Sequence, residues 1–317
     1  MVKNIGINTA LGALSTLLFI FSFQGNEGAP GQVNALQTMF IMTLSVFPLF
    51  VSGLGWGITG GLVSVATGSL LAAMLVAPLF SLTYVLTCGL PVLVLTRQSL
   101  LWREENEKIT WYPVSNLMVS WVFVSILLSG MAISLLYLNP ELKANLIEQF
   151  NQIVPQLQQQ GEMFKSVTAE MIVRLLPQFF GPFWGIVLMI AGILAQGVLV
   201  RFNKNMRPSP AFQELKLPVW MAVATIGAFA FSFFFNWADA ILGAVTLTLE
   251  IAFFLQGMAI IHKVSKGWDY RSVILTAVYL SMILIFWLVL VIVLLGLVDS
   301  WVGVRERAAS TPNQEED

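Results

Sequence analysis

Runs of about twenty apolar residues recur along the whole chain, separated by shorter polar stretches. A helix of that length rises about 30 Å, the thickness of the hydrocarbon core of a bilayer. The composition agrees, with 57% hydrophobic residues, 10% charged residues and a mean hydropathy of +0.81. A soluble domain carries about a quarter of its residues as Asp, Glu, Lys and Arg. The expected fold class is therefore all-α, a polytopic transmembrane helical bundle forming one integral membrane domain over residues 1–301. The tail, 302–317, is polar and expected to be disordered.

Several chemistries drop out at once. Cys88 is the single cysteine, so the chain offers neither an intrachain disulfide nor a cysteine-ligated metal. His262 is the single histidine, which removes the multi-histidine metal motifs. The patterns GxxxxGK[ST], GxSxG and HExxH are all missing. No ATP hydrolysis of its own, no metal, no other cofactor and no enzymatic activity are expected.

The apolar runs predict nine spans. The first lies in residues 1–23, read as a span because no small-x-small cleavage site follows it. The second covers 35–55, and 57–97 is long enough for two helices joined by a turn near Pro78. If that region crosses once and re-enters, the count is eight. Further spans are expected at 113–138, 183–200, 217–237, 239–263 and 272–298. Residues 139–181 form the one sizeable polar segment. Within it Leu142, Leu146, Ile147, Phe150, Ile153 and Leu157 recur at helical spacing. That pattern predicts an amphipathic outer insert, lying on the membrane surface or over the mouth of the bundle.

Basic residues orient the bundle. With the amino terminus in the cytoplasm, eleven of the sixteen Lys and Arg residues fall on the cytoplasmic side, while the two short outer loops hold none. Lys143, Lys165 and Arg174 of the insert lie outside, as do Arg305 and Arg307 of the tail. "WYP" at 111–113 and "LPVW" at 217–220 place aromatics and a helix-starting proline at the cytoplasmic interfaces.

One carboxylate stands out. Glu250 sits in the middle of "DAILGAVTLTLEIAFFLQGMAIIHK", about 17 Å of helix rise from either end. At 100° per residue, Asp239, Gly243, Thr246, Glu250 and Gly257 fall on one stripe, with Gln256 and His262 about 120° away on opposite sides. A carboxylate at that depth is costly unless paired, hydrated or protonated. Two readings stay open: a protonated Glu250 bonded to a neighbouring helix, or a Glu250 lining a polar pocket that meets a solute or a coupling proton. Gln196 is a candidate neutral partner. His262 reads as an interfacial residue or, alternatively, a proton relay.

Gly57, Gly61, Ser64 and Gly68 make a second seam of small residues at helical spacing. Such a face permits close packing of helices or docking on a partner membrane subunit. "PLFVSGLGWGITGG" also suits a broken helix or a very tight helical hairpin, a device that borders many transporter sites.

The stretches "FPLFVSGLGWG", "LPVLVLTRQSLLWR", "WYPVSNL", "EIAFFLQGMAIIH" and "GLVDSWVGVRER" resemble, in this order, the YybS-like family of predicted bacterial membrane proteins, a domain of unknown function (DUF2232). The resemblance covers nearly the whole chain and implies a bacterial inner-membrane location. It supplies no activity. The helical organisation is also similar to the substrate-binding subunits of energy-coupling-factor vitamin transporters, although the extra spans and the insert depart from them. The functional expectation is a bundle that binds or moves a small solute, with Glu250, Asp239, Thr246 and Gln196 at the site and a separate ATPase or an ion gradient as its energy source. The alternative is a non-transporting scaffold or assembly factor that uses the glycine seam and the insert. An intramembrane enzyme would need several polar groups at one depth. Besides lipid, the expected partners are the solute and another membrane subunit, with no nucleic acid.

Overall fold

The computed structural model describes residues 2–24, 35–234, 240–285 and 287–303. These are helical apart from loops and one small hairpin. Among the described residues six helices are long and apolar enough to cross a membrane, and shorter apolar helices occupy Val219–Ser232, Arg271–Leu284 and Trp287–Val302. The chain packs as two compact units, Met1–Pro113 with Trp184–Pro210, and Val114–Phe183 with Ala211–Asp317.

In the first unit, α1 (Val2–Gln24) is followed by α2 (Ala35–Leu75), which is broken at Gly57. Gly57 has φ 76° and ψ −175°, a conformation open in practice only to glycine. The break is a reversal. A Cβ added to Gly60 would stand 2.8 Å from the Ser52 carbonyl oxygen, and one on Gly61 would stand 3.5 Å from Gly53 Cα. In a continuous helix, residues eight apart are about 12 Å apart. The two limbs of α2 therefore fold back on each other, as a tight helical hairpin. The span expected at 35–55 and the first helix expected within 57–97 are thus joined at Gly57, as one of the two arrangements that "PLFVSGLGWGITGG" suits.

α1 runs alongside the second limb: a Cβ on Gly12 would meet the Ser64 carbonyl oxygen at 2.2 Å, and Thr16 Oγ1 donates to the Gly68 carbonyl (2.9 Å). After a turn at 76–77 the chain returns through α3 (Pro78–Tyr84), a π-helical turn at Val85–Gly89, and α4 (Leu90–Ser99). Tyr84 Oη bonds Ser15 Oγ at 2.8 Å, and Leu93 packs at Gly61. The Thr87 carbonyl lies in the π turn, and the Trp184 indole Nε1 donates to it (2.6 Å). The expected charged loop is in part a hairpin, β1 (Trp102–Glu105) with β2 (Lys108–Trp111), turned through Asn106 and Glu107 at positive φ.

In the second unit α5 (Val114–Leu138) precedes α6 (Pro140–Gln158), which the Asn139 side chain caps by accepting from Leu142 N. Leu142, Leu146, Ile147, Phe150 and Leu157 share the half-buried face of α6. Ile153 points out at 46% exposure, and Val154 takes the buried place. α7 (Ala169–Arg201) absorbs both the end of the expected insert and the span after it. Its 33 residues rise about 50 Å, more than the hydrocarbon needs. Its first part belongs to the second unit and its remainder to the first. There follow α8 (Val219–Phe234), α9 (Ala240–Val264), α10 (Arg271–Leu284) and α11 (Trp287–Val302). The span expected at 272–298 is thus two helices. Ile285, at φ −121° and ψ 89°, leaves helical geometry where neither Gly nor Pro signals a break.

Candidate functional site

α9 is the most buried of the long helices, and α5, α8 and α11 pack against it. Eleven of its 25 residues are buried, and a polar group among them must find a partner or go unsatisfied. Two sets of polar groups on this helix behave differently.

The first set is the stripe of small and polar residues. Asp239 lies outside the described residues. Gly243 is half-buried, and a Cβ there would stand 2.1 Å from Gln178 Oε1 on α7, so the Gln178 amide lies against the bare backbone. Thr246, one turn on, is 5% exposed and its Oγ1 has no hydrogen-bond partner. Threonine in a helix commonly bonds the carbonyl four residues back, as Thr248 does to Ala244 (2.6 Å). Thr246 is not spent in that way. Glu250, a further turn along, is half-buried. Among the described residues it has no hydrogen-bond or ion-pair partner. Gly243, Thr246 and Glu250 therefore follow one another along α9, with open hydrogen-bonding capacity on the last two.

Gly257, at the other end of the stripe, serves packing. A Cβ there would stand 2.1 Å from the Ile292 carbonyl oxygen, and one on Gly296 would stand 2.1 Å from that of Phe253. α9 and α11 cross backbone to backbone at this pair, as small residues allow.

The second set was not expected from the helical wheel. Gln256, off the stripe, is fully buried. Its Oε1 accepts from Leu217 N (2.6 Å), and its Nε2 donates to the Gly296 carbonyl (2.9 Å), with Asp299 Oδ2 at 3.3 Å and Ser300 Oγ at 3.4 Å. Asp299 is 1% exposed. This node ties the entry to α8, the centre of α9 and the end of α11 into one closed network. A glutamine in the otherwise apolar run 251–261 was the available signal. His262, at the end of α9, bonds Tyr279 Oη through Nε2 (2.9 Å) and stands edge-on to Phe212.

Gln196 and the seam of small residues on α2 belong to the first unit. Gln196 Nε2 donates to the Arg207 carbonyl (2.8 Å) and so helps to hold that loop. Gly61 lies against Leu93 and Gly53, Ser64 is fully buried, and Gly68 faces Tyr84 and Thr16. Gly57 forms the turn, with the Met206 side chain near it.

Arg207 is 6% exposed. Its guanidinium donates to the Ser99 carbonyl (2.8 Å) and the Tyr112 carbonyl (2.8 Å), 5.9 Å from the Trp111 ring centroid. Ser99 ends α4, where helix carbonyls lack internal partners and carry partial negative charge. Burial pushes the guanidinium pKa down from its usual value, yet arginine stays charged in proteins. A lysine cannot fork to both carbonyls, so Arg207→Lys should cost about 2 kcal/mol. Limited proteolysis of the purified protein, mapped by mass spectrometry, should then show faster cutting within 202–216. An unchanged cutting rate would count against this staple.

Among the described residues no three His, Cys, Asp or Glu side chains gather to hold a metal ion. The model of one protein family, described as "Predicted membrane protein (DUF2232)", matches residues 33–300. No curated protein and no solved structure matches the chain.

Proposed function

The chain belongs to this family of predicted membrane proteins, and from that premise we propose that it binds or moves a small solute on the face of α9 that carries Gly243, Thr246 and Glu250. The observation that carries this reading is the pairing of a mid-span carboxylate that lacks a described partner with a buried hydroxyl that also lacks one, a single helical turn apart. Neutral packing elsewhere on α9 leaves few such groups unspent, and a carboxylate at membrane depth usually faces a cavity or the interior of a bundle. The role is one of binding rather than catalysis. Movement of the solute would draw on an ion gradient or a separate ATPase.

Charge placement supports a bacterial inner-membrane protein with a cytoplasmic amino terminus. In the first unit Asn8 of α1 accepts from Ser52, Gly53 meets Thr96, and Gly55 meets Leu199. The start of α1, the Gly57 turn, Arg97 and Arg201 thus share one end, as the bias of Lys and Arg toward the cytoplasm favours. The scaffold alternative loses its first motive, because the small-residue seam of α2 is taken up inside its own unit.

A thermal-shift screen of the purified protein against small metabolites tests the reading. A ligand that raises the midpoint of the wild type should bind Glu250→Gln about ten- to a hundredfold more weakly, the loss of one charge-assisted hydrogen bond. A ligand bound equally well by wild type, Glu250→Gln and Glu250→Ala would overturn it.

A further inference from the structure

The groups around Glu250 narrow the class of solute, on the premise that the α9 face is a solute site. α5 carries one titratable side chain, Tyr137, which is 82% exposed, and α8 carries none. α11 brings Asp299, held by Gln256, and the short turn Phe212–Glu214 brings Glu214. The first part of α7 brings Glu170 and also Arg174, one turn before the Gln178 that lies at Gly243. On α9 itself the titratable groups beyond Glu250 are His262 and Lys263, three turns on. Among the described residues no Lys, Arg or His pairs with Glu250. The groups nearest along the stripe, Thr246 Oγ1 and Gln178 Oε1, supply oxygen lone pairs.

We propose that Glu250 exchanges a proton for a small monovalent cation, with Thr246 Oγ1 as a second oxygen on the cation. A carboxylate at membrane depth with no fixed cation nearby has two ways to be neutral. It holds a proton, or it pairs with a cationic ligand. The two states exclude each other, so binding of the cation releases the proton from the carboxyl oxygen, and total charge in the site is unchanged. Cation affinity then rises with pH until Glu250 is fully ionised. An exchange of this kind ties movement of the cation to opposite movement of a proton and needs no ATP.

The test uses dicyclohexylcarbodiimide, which reacts with protonated carboxyl groups in apolar surroundings. The full chain in lipid nanodiscs is labelled over a pH series at constant ionic strength, in N-methylglucamine, sodium, ethylammonium or tetraethylammonium chloride. The adduct on Glu250 is read by peptide mass spectrometry, with Glu250→Gln as the blank. Labelling should fall as pH rises, and at least one of the three smaller cations should cut it fivefold or more at fixed pH. Thr246→Val should keep the labelling and weaken the protection. Labelling that no cation alters overturns the exchange and leaves the solute reading standing. A Glu250 that is unreactive at every pH in the folded protein, yet labelled after denaturation, overturns both.

Discussion

Gly257→Ala should lower the thermal midpoint of the detergent-solubilised protein by about 5–10 °C, corresponding to about 2–4 kcal/mol. The added methyl would stand 2.1 Å from the Ile292 carbonyl oxygen and 2.8 Å from its Cγ2. The obstacle is backbone of the facing helix and not the end of a flexible side chain, so relief requires α9 and α11 to move apart. That separation also stretches the bond from Gln256 to the Gly296 carbonyl. The higher helix propensity of alanine returns only about 1 kcal/mol. Gly296→Ala should behave alike, since its methyl would meet the Phe253 carbonyl at 2.1 Å. Gly227→Ala on α8, with nothing within 4 Å, is the control and should leave the midpoint unchanged or slightly raised. Equal midpoints for Gly257→Ala and Gly227→Ala would refute the backbone crossing.

The second large effect is expected at Gln256. Leucine fills nearly the same volume, but Gln256→Leu strips the Leu217 N–H of its acceptor and the Gly296 carbonyl and Asp299 carboxylate of a donor. The buried Leu217 N–H is left unpaired, which costs about 1–3 kcal/mol, and the Gly296 carbonyl and Asp299 each lose one donor, so the total should reach about 2–4 kcal/mol. Replacing Asp299 as well should add less than its own single cost, because the two side chains share one hydrogen bond. Urea unfolding of wild type, Gln256→Leu, Asp299→Leu and the double variant measures the coupling. Strictly additive losses would show that Gln256 and Asp299 do not act together.

How far the sequence could be read differed from place to place, for identifiable reasons. The helix of 240–264 was legible, because a long apolar run has few other options in a bilayer. So was the turn near Pro78, realised at 76–77. Glu250 and Thr246 were legible as neighbours, since residues four apart on one helix must lie close. The fold-back at Gly57 was legible only as an option: five glycines between 53 and 61 permit a reversal without requiring one, and Ser52 against Gly60 decides it. Gln256 was passed over because a helical wheel ranks residues by their own helix. Its partners come from Leu217 and from Gly296 to Ser300, about forty residues away in either direction. The bond from Gln196 Nε2 to the Arg207 carbonyl was hidden for the same reason, since the loop that accepts it follows α7 and turns back to it.

Composition and periodicity alone determined a helical membrane protein, its polar insert and the one carboxylate worth explaining. These depend on the free energy of placing single residues in hydrocarbon, a property each residue carries with it. The break in the last apolar run, the backbone crossing of Gly257 and Gly296, and the division of polar groups into a closed node and an open face were decided by tertiary structure. Those depend on which backbones come within 3 Å of one another, and chains far apart in sequence settle that together.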